Sequence, residues 1–303
     1  MEHAILGAGA IGGLVGTALA SLGEDVAVLV RPEKLPGYPE SLSVERPSGP
    51  ITAPAKSTAT LTSPIDVLWI ATKTYQLKAA LAAVRSLPRC IVPLLNGVDH
   101  IDVLRAHFGR DRVLPATIAV EAEKIAPGRF VQRSPFVNLN LAASGEPFLG
   151  RIIARLRDLG FNCRFVQNEQ TLLWSKLCFL GPFALVTSAS GMNKGEIDAD
   201  TSWKNKLNST VAEACAVAKA SGAEVDAAQI QAIIEGAPSG MRSSMQKDVA
   251  SRRQLELDGI GGPIVRGGER YGIDVSTTAA LISVIRAASE DASDVGILQC
   301  EKK

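Results

Sequence analysis

Apolar residues form two kinds of pattern in the first half of the chain, short continuous runs and helical spacing. Short apolar runs typical of parallel strands buried on both faces occupy residues 2–6, 25–30, 66–71 and 90–95. Helical spacing follows these runs at 14–22, 76–87 and 98–108. Strands that alternate with helices in this way predict a doubly wound α/β sheet.

The pattern changes twice further along the chain. Residues 41–45 and 51–53 flank a Pro-Gly turn and predict a hairpin appended to the sheet. Runs at 113–122, 129–133 and 137–142 predict an antiparallel extension of the same sheet, followed by a helix at 149–159 and a strand at 162–166. The sheet therefore ends close to residue 167.

The remainder of the chain is predicted to be helical. A helix at 201–221 ends at Gly222, Asp226 caps a helix that runs to Gly236, and Ser276 caps a last helix at 277–288. We expect two domains, a Rossmann-like domain at 1–167 and an all-α domain at 168–303.

Composition supports two folded domains with small-molecule partners. The 303 residues are 46% hydrophobic and 5% aromatic, with a net charge of +1. This balance offers neither a basic stripe for nucleic acid nor an acidic tail. No cluster of residues with metal-ligand spacing is present, so no metal is expected.

Cysteine usage and hydropathy predict a cytoplasmic protein. The cysteines are far apart and form no CxxC pair, which is typical of reduced thiols; they are Cys90, Cys163, Cys178, Cys215 and Cys300. No cationic leader precedes the first apolar run, and no later stretch is expected to be long and apolar enough to span a bilayer.

A glycine-rich turn joins the first strand to the first helix. It has the GxGxxG pattern of a dinucleotide site, in which the backbone and the helix N-terminus accept a pyrophosphate. The turn comprises Gly7, Ala8, Gly9, Ala10, Ile11 and Gly12. A plain strand-to-helix connection is the alternative for such a hexapeptide alone.

The second strand ends in Arg31, where an NAD-binding protein would carry an acid that binds the ribose. A guanidinium suits a 2′-phosphate, so the sequence favours NADP(H) over NAD(H). The alternative is a solvated arginine with Glu33 as a shifted ribose partner.

Polar residues also follow the next two predicted strands. Lys73 could supply a cation to a phosphate or carboxylate, and Asn96 could bind a ribose or a substrate oxygen. A surface lysine and an Asn-Gly turn are the alternatives.

Lys176 lies on an apolar stripe, since the residues three and four positions away are Leu172, Leu173, Phe179 and Leu180. Such a lysine either snorkels to water or is held in a pocket, where desolvation lowers its pKa and suits it to donate a proton.

The segment 243–258 is a second polar cluster. Ser243 and Gln246 have capping-box spacing, so one of the two serines at 243–244 is expected to be structural. Glu256 follows Arg252 and Arg253 at helical spacing, which suggests an exposed ion pair. The glycines at 259, 261 and 262 indicate close helix packing.

Taken together, these motifs resemble the ketopantoate reductase (2-dehydropantoate 2-reductase) family over both domains. The resemblance rests on the glycine turn, Thr-Lys-Thr-Tyr-Gln around Lys73, Leu-Leu-Asn-Gly around Asn96, Trp-Ser-Lys ending at Lys176, and the 243–248 segment with Glu256. It implies a Rossmann domain plus a helical substrate or dimerisation domain, with an active site in the cleft between them. It also implies NADPH-dependent reduction of a 2-oxo acid, as in the step from ketopantoate to pantoate in pantothenate biosynthesis.

The resemblance also implies roles for individual residues. Lys176 would be the proton donor, Asn96 would contact cofactor and substrate, Ser244 would bind the substrate, and Glu256 would approach the cofactor or orient the lysine. The sequence departs from the family where asparagines face the substrate, since those places hold Leu180, Ala184 and Lys194, with Asn193 adjacent.

Three functions therefore stand as hypotheses. The first is an NADPH-dependent 2-oxo acid reductase, monomeric or homodimeric. The second is the same chemistry on a more apolar 2-oxo acid, suggested by Leu180 and Ala184. The third is a non-catalytic NADP(H)-binding sensor.

Overall fold

A computed structural model describes the backbone of residues 1–300 and the side chains of residues 1–289. The thiol predicted at Cys300 lies outside the described side chains. The chain divides into two compact units, Met1–Leu172 and Leu173–Lys303, and the division falls within a helix that begins at Glu169.

The first unit contains all the strands of the described chain. Numbered along the sequence, they are β1 (Glu2–Leu6), β2 (Asp25–Leu29), β3 (Ser41–Glu45), β4 (Ile51–Pro54), β5 (Lys56–Thr58), β6 (Val67–Ile70), β7 (Cys90–Pro93), β8 (Ala116–Ala119), β9 (Ala122–Ala126), β10 (Arg129–Gln132), β11 (Asn138–Ala142) and β12 (Asn162–Val166).

The helices of the first unit are α1 (Ala10–Ser21), α2 (Leu77–Leu81), α3 (His100–Phe108) and α4 (Glu146–Asp158). The helix that crosses the division is α5 (Glu169–Ser190). The second unit continues with α6 (Lys194–Ala199), α7 (Thr201–Ala220), α8 (Ala227–Glu235), α9 (Ser244–Ala250), α10 (Leu257–Ile260), α11 (Gly262–Tyr271) and α12 (Ser276–Cys300).

A parallel five-stranded sheet forms the centre of the first unit and confirms the predicted fold class. Its strand order is β5-β2-β1-β6-β7, and every neighbouring pair is parallel. Every residue of β6 and β7 is buried, as expected for strands covered on both faces. Pro93 lies on the edge strand β7, where the loss of one N–H donor is tolerated.

The other strands do not extend this sheet, so that prediction was wrong. The predicted hairpin exists as β3 and β4, but β3 pairs with β10 in a separate four-stranded sheet of order β4-β3-β10-β9. A third sheet has the order β12-β11-β8. The reason lies in α1, which is buried without interruption from Gly12 to Ala20 and needs apolar cover on its outer face. Leu42 and Phe130 from the four-stranded sheet are buried in the same core cluster as α1.

The helix predicted at 76–87 is shorter than expected, because α2 ends at Leu81. The backbone beyond it pairs with Leu61 instead, which donates to the Ala83 carbonyl at 2.8 Å and accepts from the Arg85 N–H at 2.8 Å. These long-range hydrogen bonds satisfy the groups that further helix would have satisfied.

The second unit is helical, as predicted, and α5 is a long apolar helix. By length and composition α5 could cross a membrane, so the expectation that no stretch reaches that length was wrong. In its most apolar window, 67% is buried inside the protein, which is typical of a core helix.

Two helix caps in this unit test the sequence predictions. Asp226 caps α8 as predicted, since its carboxylate accepts from the Ala228 N–H at 3.1 Å. Ser276, by contrast, is the first residue of α12 and not its cap. Glu213 accepts from the N–H groups of Thr277 and Thr278 at 2.9 and 2.8 Å, so a carboxylate from α7 caps this helix.

Candidate functional site

The glycine turn follows β1 and leads directly into α1. Gly7 has φ +110°, and a Cβ there would lie 2.7 Å from the Ala71 carbonyl carbon and 2.8 Å from the Thr72 nitrogen. A Cβ at Gly12 would lie 2.1 Å from the Gly7 carbonyl oxygen. Both glycines are therefore required by close packing of the turn, as the motif predicts.

Gly9 differs from its neighbours because nothing within 4 Å would meet a Cβ at this position. Its φ of −87° is accessible to any residue, so neither packing nor backbone conformation requires glycine here. In the described structure no side chain caps α1 and no acid lies in its first turn. Open space at an uncapped helix N-terminus fits a pyrophosphate.

Thr72 adds a second polar feature beside the turn. Its backbone touches Gly7, and its Oγ1 is buried without a hydrogen-bond partner among the described side chains. A buried hydroxyl of this kind normally has a partner. The residues around the glycine turn therefore fit a bound dinucleotide.

Lys73 and Asn96 follow β6 and β7, two adjacent parallel strands. Both residues are half-buried. Gly97 has φ +82°, so Asn96 begins a tight turn of the kind the sequence suggested as an alternative role. The carboxyl ends of parallel strands share one edge, which places both residues at the edge where the glycine turn leaves β1.

Arg31 follows β2 at the same edge of the sheet and is exposed. Its guanidinium lies 3.8 Å from the Glu33 carboxylate, an exposed and therefore weak pair. A third cation, which the sequence did not single out, lies close by. Lys124 on β9 donates from Nζ to the Ala8 carbonyl at 2.8 Å.

In the second unit, α5 carries Lys176 on its apolar stripe. Leu172, Leu173 and Leu177 are buried beside it, and Lys176 itself is half-buried. Burial lowers the pKa of Lys176 to about 8, and the charge of Glu256 opposes this shift. The direction of the shift is the one that the sequence predicts for a lysine held in a pocket.

Glu256 is not the exposed helix pair that its spacing suggested. It precedes α10 at the N-cap position and only 4% of the residue is exposed. Arg253 instead pairs with Asp248 at 3.3 Å. A buried carboxylate that acts on Lys176 gives this unit an acid–base pair.

The two serines of the second cluster have different environments. Ser243 is buried and caps α9 by accepting from the Gln246 N–H at 3.0 Å, and its Oγ lies 2.7 Å from Thr187 Oγ1. Ser244 is exposed at the first position of the helix. Ser243 is therefore the structural serine, and Ser244 presents its hydroxyl at the surface of the unit.

Gln246 does not complete the expected capping box. Its Nε2 donates to the carbonyls of Gly191 and Met192 at 2.8 and 3.1 Å, which ties α9 to the end of α5. Sequence spacing identified the residue but not its partners, since those lie far away along the chain.

Comparison with known proteins identifies the family. Residues 3–144 match the family described as ketopantoate reductase PanE/ApbA, and residues 168–289 match the C-terminal part of the same family. The chain is 31% identical to the 2-dehydropantoate 2-reductase of Caulobacter vibrioides over 94% of this chain and 98% of that protein. The chain belongs to the ketopantoate reductase family.

Solved structures support the fold of this ketopantoate reductase family member. The 2-dehydropantoate 2-reductase of Geobacter metallireducens matches with a TM-score of 0.86 at 22% identity, over 95% of this chain and 100% of that chain. D-mandelate dehydrogenase with NADH and anilino(oxo)acetate matches with a TM-score of 0.84 at 22% identity, over 96% and 99%. The chain is an oxidoreductase of the class that interconverts C=O and CH–OH groups.

The three positions at which the resemblance predicts a departure from the family differ in their surroundings. Ala184 is fully buried and Leu180 is half-buried. Lys194 is 3% exposed, forms an ion pair with Asp198 and donates to the Glu235 carbonyl at 3.4 Å. Asn193 is engaged in a capping box with Glu196. The side chain of Asn193 is therefore committed to the start of α6.

Proposed function

We propose that this protein is an NADPH-dependent 2-oxo acid reductase with ketopantoate as its substrate. Residues 1–167 would bind the cofactor, and residues 168–303 would bind the substrate or form a dimer. The observation that carries the proposal is the pKa of about 8 at Lys176 together with the buried Glu256, in a member of a reductase family.

The first unit would bind the dinucleotide through backbone and cationic groups. The glycine turn would accept the pyrophosphate at the N-terminus of α1, because Gly9 leaves that space open. Arg31 would bind the 2′-phosphate of the adenine ribose. Lys73 would supply a further cation to a cofactor phosphate, and Asn96 would hydrogen-bond the nicotinamide ribose and the substrate.

Lys176 would act as the general acid. When bound, NADPH supplies a hydride to the carbonyl carbon of the substrate. Negative charge then develops on the carbonyl oxygen, and the Lys176 ammonium would protonate it from Nζ. A pKa of about 8 keeps the ammonium protonated near neutral pH and still makes it a good donor.

Glu256 and Ser244 would support this step. The Glu256 carboxylate raises the pKa of Lys176 and would hold the ammonium in its charged form. The exposed hydroxyl of Ser244 would hydrogen-bond the substrate carboxylate.

Steady-state kinetics of Lys176→Ala tests the proposal. We expect NADPH to bind with the parent affinity and the rate of ketopantoate reduction to fall by a factor of about 10² to 10⁴, the usual contribution of a general acid. Lys219→Ala, which removes an exposed lysine from α7, is the matched control and should reduce ketopantoate at the parent rate. Parent activity in Lys176→Ala would refute the assignment.

A second candidate is reduction of a bulkier or more apolar 2-oxo acid. Leu180 and the buried Ala184 favour it, because apolar side chains cannot form a hydrogen bond with a hydroxyl group of the substrate. The similarity to D-mandelate dehydrogenase, whose structure holds anilino(oxo)acetate, suggests aromatic 2-oxo acids for the comparison. A panel of 2-oxo acids compared by kcat/KM decides between the two, and a preference for ketopantoate would exclude the apolar candidate.

We also propose a cytoplasmic location. The described cysteines, Cys90, Cys163, Cys178 and Cys215, are all free thiols. Free thiols are typical of proteins in a reducing compartment.

A further inference from the structure

Lys124 connects the exposed strand β9 to the glycine turn. Its Nζ donates to the Ala8 carbonyl at 2.8 Å, although β9 belongs to a different sheet from β1. Residues 123–125 are all exposed, so no packing requirement explains a lysine at this position. The contact holds an ammonium against the one loop of the unit that would carry a dinucleotide.

Two further cations act on this ammonium. Partial desolvation lowers the pKa of Lys124, and the positive charges of Arg31 and Lys34 lower it further. Arg31 is the N-cap residue of a short 3-10 turn that follows β2, and Lys34 is the last residue of that turn. The three cations therefore converge on the space between the end of β2 and the glycine turn.

Carboxylates near this cluster do not balance it. Glu33 lies 3.8 Å from Arg31, and both groups are exposed. Glu123, the neighbour of Lys124 on β9, pairs with Arg133 at 2.9 Å. Like charges held close together repel one another, and a bound polyanion relieves that repulsion.

We propose that Lys124 is a specificity-determining residue that binds, together with Arg31, a phosphate monoester on the adenine ribose of the cofactor. The inference rests on the proposed function, which places a dinucleotide on the glycine turn. In that motif the adenine ribose is bound at the end of the second strand, beside the turn. Arg31 lies at the end of β2 and Lys124 touches Ala8, so both can reach a phosphate on the 2′ oxygen.

Binding of two nucleotides to the full chain separates this site from the pyrophosphate site. The probes are 2′,5′-ADP, which carries the 2′-phosphate, and 5′-AMP, which lacks it. In Lys124→Met we expect the Kd for 2′,5′-ADP to rise about tenfold, the size of one charge-assisted hydrogen bond. The Kd for 5′-AMP should remain unchanged, and Lys124→Arg should restore most of the affinity for 2′,5′-ADP.

Lys56→Met is the matched control. Lys56 is an exposed lysine of the same unit that pairs with Asp25 at 2.9 Å, at the amino end of the parallel sheet. Its removal should change neither Kd. Thermal unfolding of each variant identifies any loss of fold.

Two outcomes would overturn the inference. Equal weakening of both nucleotides in Lys124→Met would assign the lysine to the 5′-phosphate, and unchanged Kd values would leave it without a role in binding. Neither outcome depends on catalysis, because no substrate is present. Failure to reduce any 2-oxo acid would instead refute the proposed function and leave the nucleotide result standing.

Discussion

Glu256 and Lys176 form an acid–base pair within the helical unit: the buried carboxylate raises the pKa of the lysine, while burial lowers it to about 8. The two effects oppose each other. The pair therefore sets the pH above which the ammonium is lost.

The pH dependence of reduction should follow this pair. A general acid must be protonated, so kcat/KM should fall as pH rises through about 8. Glu256→Gln removes the group that raises the pKa of Lys176, and the fall should move to lower pH. Glu269→Gln, an exposed change in α11, should leave the profile in place. A profile for Glu256→Gln that coincides with the parent profile would contradict the pairing.

Two glycines of the turn should respond differently to the same substitution. A methyl group at Gly9 meets nothing, so Gly9→Ala should unfold at the parent temperature but bind NADPH at least tenfold more weakly. A methyl group at Gly12 would lie 2.1 Å from the Gly7 carbonyl oxygen, so Gly12→Ala should lose stability by roughly 1–3 kcal/mol. Thermal unfolding and fluorescence titration with NADPH measure the two effects. Parent affinity in folded Gly9→Ala would count against a pyrophosphate at this turn.

The adjacent serines offer a second matched pair. Ser243→Ala removes the cap of α9 and the contact with Thr187, and should destabilise the protein by about 1–2 kcal/mol. Ser244→Ala changes an exposed hydroxyl and should alter the free energy of unfolding by less than about 0.5 kcal/mol. In Ser244→Ala the KM for the 2-oxo acid should rise. Urea unfolding together with steady-state kinetics distinguishes the two serines, and an unchanged KM would remove Ser244 from the binding site.

Acid should destabilise the first unit through His3. The side chain is buried, accepts a hydrogen bond from Trp69 Nε1 at 3.1 Å, and has a pKa lowered by burial to about 4. The unfolded chain binds a proton near pH 6.5 and the folded chain does not, so stability is complete above about 6.5 and declines as pH falls towards 4. The full loss is roughly 3 kcal/mol.

His3→Gln separates this contribution from other titrations. Glutamine offers Trp69 an acceptor but does not titrate. Urea unfolding at several pH values between 7 and 4 should give a shallower dependence for His3→Gln than for the parent. The same slope in both proteins would exclude His3 as the source.

Local patterns predicted most of the elements, because apolar runs and helical spacing are properties of short segments. They did not predict which sheet the later strands join. That choice depends on α1, because Leu42 and Phe130, which lie far away along the chain, pack in the same core cluster as its buried residues. Similarly, α2 ends early because the backbone beyond it forms hydrogen bonds with Leu61, which lies 20 residues before the end of the helix.

The site shows the same distinction. The glycine turn and Arg31 could be proposed from sequence because each belongs to a strand–turn–helix unit. Glu256 resembled a surface ion pair, since spacing alone carries no information about burial. Nothing in the segment around Lys124 marks it, because its partner Ala8 is reached only through the folding of a separate sheet.

The position of Lys124 bears on how cofactor preference can change during evolution. An exposed strand outside the parallel sheet tolerates substitution at little cost to folding. If the cation on that strand contributes to nucleotide choice, a lineage could shift between the two nicotinamide cofactors while β1, the glycine turn and β2 stay constant. Engineering of cofactor preference in this scaffold should therefore begin on β9.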